Sequence, residues 1–222
     1  MPHVTHAGAR IYWEEGQDGQ EGQVCQVGQV GQEGRDGQER PRDAVLLIMG
    51  LGATLEWWNR LRPLVVSRFR TILFDNRGVG KSDVPPGPYS IPTMADDASA
   101  VLDGAGVDSA HVVGFSMGGY IAQELVLRHP ARVRSLVLGC TSCGGRDAAP
   151  AAPEVRAALT SRANMSREEA MWTMAPYTFD RSTPRQMIAE EFALRLRTTV
   201  SNDGFFAQLE AIRKWPGSLR VT

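Results

Sequence analysis

The chain has 222 residues, enough for one large domain or two small ones with a substantial core. Its composition is that of an ordinary globular protein, 42% hydrophobic and 22% charged, and its net charge of −1 argues against a nucleic-acid or anionic-membrane partner. No apolar run approaches the roughly 18 residues that a membrane span needs.

The first residues, Met1-Pro2-His3-Val4-Thr5-His6, show no basic region followed by an apolar stretch, so a mature, cytoplasmic protein is expected. Three cysteines, Cys25, Cys140 and Cys143, do not make a disulfide framework. Residues 1–15 read as a hairpin. Ala7-Gly8 is the turn, and Ile11, Tyr12 and Trp13 are β-formers in its second strand. Residues 16–42 differ in kind, because Gly16 to Glu39 is a run of eight triplets of Gly-Gln-x type, broken at Cys25 and Arg35. Glycine at every third position invites a collagen reading, but the segment is short, interrupted and free of proline. It reads as a solvated low-complexity loop of replicated origin.

Regular structure resumes at Asp43. Ala44 to Met49 is a continuous apolar run closed by Gly50-Leu51-Gly52, the pattern of a strand buried on both faces. Leu55 to Val66 predicts a helix, and Phe69 to Phe74 a second buried strand ending in Asp75-Asn76-Arg77-Gly78. Pro85, Pro86 and Pro88 enforce a loop. Thr93 to Leu102 predicts a helix with Thr93 as N-cap. Ala110 to Phe115 is a third strand, Met117 to His129 a helix, and Val133 to Leu138 a fourth strand. This alternation predicts a doubly wound, mostly parallel α/β sheet over residues 43–145. After the linker Ala148 to Pro153, helical stretches are expected at Glu154–Arg162, Ser166–Thr173, Pro184–Thr198 and Gly204–Trp215. Ile188, Phe192, Leu194 and Leu196 are placed to cover a pocket.

The chemistry concentrates at Gly114-Phe115-Ser116-Met117-Gly118. A serine hydroxyl is a poor nucleophile at neutral pH and needs exposure and a base. A strand running through a sharp turn into a helix supplies exposure, with small residues at 114 and 118 letting the strained turn pass its neighbours. The pentapeptide occurs by chance in other settings; here the preceding apolar strand and following amphipathic helix give the context it requires. The Met117 N–H, at the N-terminus of the new helix, is one candidate oxyanion donor. The Leu51 N–H, in the loop after the earlier strand, is the second.

These segments resemble the α/β-hydrolase superfamily, nearest to its esterase, enol-lactonase and cofactor-free haloperoxidase-like branch. The resemblance rests on Leu47 to Gly52, Phe74 to Ser82 and Gly114 to Gly119, in order and spacing. The first segment departs from the usual pattern, with Met49 where the family commonly has His. The resemblance implies an α/β-hydrolase fold and a serine hydrolase acting on a small-molecule carboxylic ester or lactone, with no cofactor and no metal. It makes residues 146–215 a helical cap and residues 216–222 the start of further core. Asp75 and Arg77 are expected to form a structural network beneath the site. Gly78-Val79-Gly80-Lys81-Ser82 imitates a phosphate loop, but Asp75 stands where that pattern needs glycine, and Pro85-Pro86 block the helix that would aim N–H groups at a phosphate.

The family's triad runs serine, acid, histidine in chain order. The strands that would precede the acid and the histidine are not found in these residues, so a C-terminally truncated member is expected. Substitutes are poor. His111 starts the strand that leads to Ser116, about 16 Å away. His129 ends the following helix, about 20 Å away. His3 and His6 belong to the hairpin on the far edge. Asp147 is the first carboxylate after the fourth strand, and Cys140-x-x-Cys143 lacks both a thioredoxin-like setting and enough ligands for zinc. The readings left open are a hydrolase without its charge relay, an inactive or binding protein, and one part of a split hydrolase. An uncovered last strand is expected to promote self-association.

Overall fold

The computed structural model describes residues 2–16, 43–146 and 148–218. The Gly-Gln-x segment from residue 17 onward, Cys25, Asp147 and the last four residues lie outside the described residues. Among the described residues six strands form one sheet: β1 (His3–His6), β2 (Ala9–Glu15), β3 (Ala44–Ile48), β4 (Arg70–Phe74), β5 (Ala110–Phe115) and β6 (Val133–Gly139), in the order β1-β2-β4-β3-β5-β6. The hairpin β1–β2 is antiparallel and adds antiparallel to β4, while β4, β3, β5 and β6 pair in parallel.

Strand β3 is the centre. Leu46, Leu47 and Ile48 are fully buried, each side chain contributing about 1.5–3 kcal/mol against exposure. Side chains alternate across a sheet, so Ala44, Leu46 and Ile48 join one core with Ile72 and Phe74 of β4 and Val112 of β5. Val45, Leu47 and Met49 join another with Tyr12 and Leu73. The first core is closed by α2 (Ile91–Gly104) and α3 (Met117–Arg128), through Met94, Val101, Leu102, Ile121 and Leu125. The second is closed by the segment 55–66 through Leu55 and Trp58.

That segment is not the single helix the sequence suggests. It is a 3₁₀ turn at Leu55–Trp58 followed by the short helix α1 (Arg62–Val66). Pro63 lacks the N–H that a continuous helix would need inside its ladder, so the second piece starts beside it. Helix α2 also begins earlier than expected. Its N-cap is Ser90, whose side chain accepts from the Thr93 N–H, which places Thr93 inside the first turn. Pro92 is tolerated there because first-turn N–H groups have no intrahelical partner.

Four helices follow β6: α4 (Pro153–Ser161), α5 (Arg167–Thr178), α6 (Arg185–Arg195) and α7 (Asn202–Lys214). Helix α5 starts with a reciprocal capping box between Ser166 and Glu169 and runs five residues past the expected end, through Pro176. Phe192, Ile188 and Leu196 share an apolar cluster with Met171 and Ala175 of α5 and with Trp57 of the 3₁₀ turn. No described helix is long and apolar enough to cross a membrane.

Among the described residues strand β6 is the last of the sheet, and its exposed side chains include Val137 (55% exposed) and Leu138. Val137 pairs in register with Val113 and lies on the same face as Phe115, itself 41% exposed. An apolar parallel edge with unpaired N–H and C=O groups is a template for another strand. The chain is therefore expected to self-associate with rising concentration in sedimentation velocity, and Val137→Lys to shift it toward monomer. A single monomeric species for the unaltered chain at all concentrations contradicts this.

Candidate active site

Ser116 sits between the last residue of β5 and the first of α3, with φ 55° and ψ −118°. A non-glycine residue there carries a strain of about 1–3 kcal/mol, so the surroundings must hold it. They do so through the backbone. The Ser116 N–H donates to the Gly139 carbonyl at the end of β6 (2.8 Å), and its carbonyl accepts from the Gly119 N–H (2.9 Å).

The glycines explain how the turn fits. A Cβ on Gly118 would lie 2.1 Å from the Ile48 carbonyl oxygen, and one on Gly114 would lie 2.4 Å from the Gly118 carbonyl oxygen. Both clashes are with backbone, which has little freedom to move. A Cβ on Gly119 would strike the Thr141 side chain. The loop after β3 is equally close, since a Cβ on Gly50 would stand 3.0 Å from Ser116 Cβ and 3.4 Å from its Oγ. The fold thus brings Ser116, Met117 and the Gly50-Leu51-Gly52 loop together. The Met117 N–H opens α3, where first-turn N–H groups have no intrahelical acceptor. Leu51 is half-buried on the next residue after Gly50.

The four histidines are elsewhere. His6 Nδ1 meets Asp97 at 2.6 Å, His129 Nε2 meets Asp96 at 2.7 Å, and His111 Nδ1 meets Ser135 at 2.7 Å. The His3 ring lies against Tyr12. His111 and His129 occupy the ends of β5 and α3 remote from Ser116. Cys140 and Cys143 are free thiols in the loop after β6.

Asp75 and Arg77 form two networks rather than one. Buried Asp75 accepts from the Leu55 N–H on Oδ1 and the Lys81 N–H on Oδ2, both at 2.8 Å, which ties the 3₁₀ turn to the loop after β4. Burial pushes its pKa up, against the opposing pull of those two N–H groups. Arg77 makes a two-pronged ion pair with buried Asp97 of α2, at 2.6 and 2.7 Å. Lys81 points its ammonium at the Tyr12 ring, 4.5 Å from the centroid.

Sequence reasoning missed Gln208 and Asp97. Fully buried Gln208 of α7 accepts from the Gly52 N–H (2.9 Å) and donates to the Arg77 carbonyl (2.8 Å), joining the helices after β6 to both loops. A glutamine on an amphipathic helix carries no signal of such a role. Asp97 did carry one, lying among Met94, Ala98 and Val101 on the apolar stripe of α2.

The sequence profile described as the alpha/beta hydrolase fold matches residues 43–202. The chain belongs to the α/β-hydrolase family. Among its relatives, the protein named "Putative carbamate hydrolase RutD" of Caulobacter segnis is 40% identical over 99 residues, covering 44% of this chain. That match spans 37% of the relative's own length. An α/β hydrolase of known structure, the esterase from Exiguobacterium antarcticum, superposes with a TM-score of 0.74 at 23% identity, covering 97% of this chain and 74% of that one. An N-acyl homoserine lactone degrading enzyme gives 0.68 at 25% identity, covering 97% and 72%. The sheet order and the parallel core of this chain are those of an α/β hydrolase.

Two outcomes test the site's energetics. Ser116→Gly relieves the positive-φ strain that Ser116→Ala retains, so the glycine variant is expected to be more stable than the alanine variant by about 1 kcal/mol in guanidinium unfolding, after the entropy cost of glycine. For Asp75 the folded pKa is raised, so the native state favours the protonated acid. The stability of the unaltered protein relative to Asp75→Asn is therefore greatest below the ordinary aspartate range, falls as pH rises through the raised pKa, and then levels. Unfolding curves of both proteins across that range read this directly, and a difference that grows with pH refutes it.

Proposed function

We propose that this chain carries the acyl-transfer centre of an α/β hydrolase, with Ser116 as nucleophile and the Leu51 and Met117 N–H groups as oxyanion donors. The observation that carries this reading is the backbone of Ser116: a serine held at φ 55° at a strand-to-helix turn by glycines that leave no room for side chains.

The reaction is attack of Ser116 Oγ on an acyl carbon bearing a heteroatom leaving group. The hydroxyl proton passes to water and the carbonyl π pair moves onto oxygen. Collapse of the adduct breaks the bond to the leaving group, which departs with a proton from water. The tetrahedral oxyanion forms beside the first turn of α3, where unpaired N–H groups and the helix dipole favour negative charge. The substrate class is a small carboxylic ester or lactone. The carbamate hydrolase and lactone-degrading names of relatives belong to the same chemistry, an acyl carbon joined to oxygen or nitrogen. The helices α4–α7 form the cap, pinned to the site's loops through Gln208.

Within these 222 residues no imidazole is placed to accept the serine proton. Oxyanion stabilisation and binding alone leave roughly 10³–10⁴-fold acceleration over water. A second reading is favoured by the exposed β6 edge and by Phe115 and Val137 on one of its faces: further strands, with the acid and histidine, pair there from another polypeptide segment. A fluorophosphonate probe tests the nucleophile. Labelling of Ser116 that is slow, and abolished in Ser116→Ala, is expected. No labelling at long exposure removes the nucleophile reading for this chain.

A further inference from the structure

Arg162 follows α4 in a 3₁₀ turn and is only 9% exposed. Its Nε–H is buried and meets no acceptor, and no described carboxylate or carbonyl is hydrogen-bonded to its guanidinium. Buried Arg77 and half-buried Arg195 are both neutralised. Arg77 is paired with Asp97 at 2.6 Å, and Arg195 with Glu191 at 2.9 Å. The Arg162 charge acts on a group of its own sign, Arg167. Arg167 spends its guanidinium on the carbonyls of Thr198 and Arg195, and its pKa is lowered by burial and then by the charge of Arg162. Burial alone lowers that of Arg162.

An unpaired buried charge is among the costliest features a fold can carry, and this one is connected to the site through packed residues. The Arg162 guanidinium stands 4.3 Å over the Phe205 ring. That ring packs on Gly52, where a Cβ would lie 2.6 Å from it, and shares an apolar cluster with Leu51. Gly52 is two residues from Gly50, which touches Ser116. A chain of contacts, Arg162 on Phe205, Phe205 on Gly52 and Gly50 on Ser116, thus links a fixed positive charge to the reacting end.

We propose that Arg162 recognises an anionic group of the substrate, so that the substrate class is an ester or lactone bearing a carboxylate remote from the scissile bond. A guanidinium matches a carboxylate with two parallel N–H bonds, and the ligand would supply the acceptor that the fold withholds. The stack on Phe205 holds the guanidinium plane in place before binding.

This inference rests on the site proposed above, so its test is an equilibrium one that needs no reaction. In the full chain carrying Ser116→Ala, monomethyl glutarate and dimethyl glutarate are titrated by calorimetry near neutral pH. The half-ester is expected to bind at least about tenfold more tightly. The preference should vanish in Arg162→Gln and survive in part in Arg162→Lys. Equal affinities, no binding of the half-ester, or a preference unchanged by Arg162→Gln overturns the proposal. A purely structural stacking role predicts that last result. If Arg162→Gln does not fold, the Arg162 Nε–H resonance of the Ser116→Ala chain takes its place: a shift with the half-ester and none with the diester supports the proposal, and no shift with the half-ester overturns it. Failed fluorophosphonate labelling alongside intact discrimination removes the nucleophile and leaves the anion site standing.

Discussion

Where the end of β3 meets the first turn of α3, two backbones touch with no side chain between them. A Cβ at residue 118 would sit 2.1 Å from the Ile48 carbonyl oxygen, and one at residue 114 would sit 2.4 Å from the Gly118 carbonyl oxygen. This close approach sets the exit angle of β5 and the entry of α3. Within that approach the Ser116 backbone passes through a positive-φ conformation. The loop after β3 then lies against Ser116, with Gly50 small enough to allow it. Strand, serine, helix N-terminus and glycine loop are consequences of one packing constraint.

The rest of the molecule holds that constraint from two sides. The fully buried residues of β3 feed alternately into two cores, so the strand cannot shift by one residue without turning its apolar set inside out. Polar groups then pin the loops. Asp75 holds the 3₁₀ turn and Lys81, and Gln208 ties α7 to Gly52 and to the Arg77 carbonyl. Each of these buried groups has a partner, as interiors demand. Arg162 motivates a ligand because its buried Nε–H lacks an acceptor while its guanidinium has a ring and a second cation nearby and no counter-charge among the described residues. The region after α7 is also anchored: Trp215 lies against Tyr120 and donates to Glu124, and the Ser218 N–H donates to the Cys143 carbonyl.

Much of this was legible in the residues, and the failures have identifiable causes. The β5 boundaries follow from an apolar run ending at glycine, phenylalanine and serine. The break within the 55–66 segment is not legible from apolar spacing, which does not reveal where a proline interrupts hydrogen bonding. Ser90 and Thr93 are both good caps in sequence, and only the backbone conformation at 90 decides between them. Asp75 and Arg77 stand two residues apart, so one network was a natural expectation. In a local extended geometry such residues project together, but the turn after β4 sends one inward to the 3₁₀ segment and the other to α2.

By itself the sequence determined the alternation of strands and helices, the glycine-bounded serine turn, and the remoteness of every histidine from it. Those are properties of local spacing, carried by period and by residues that tolerate unusual backbone. Tertiary structure decided what spacing cannot encode: that Gly50 rests on Ser116, that a glutamine 156 residues beyond Gly52 binds its N–H, and that Arg162 is buried over Phe205 without a counter-charge. The physical reason is that burial and pairing belong to the neighbourhood in space. A charged residue in a helical stretch reads as surface until packing removes the water around it.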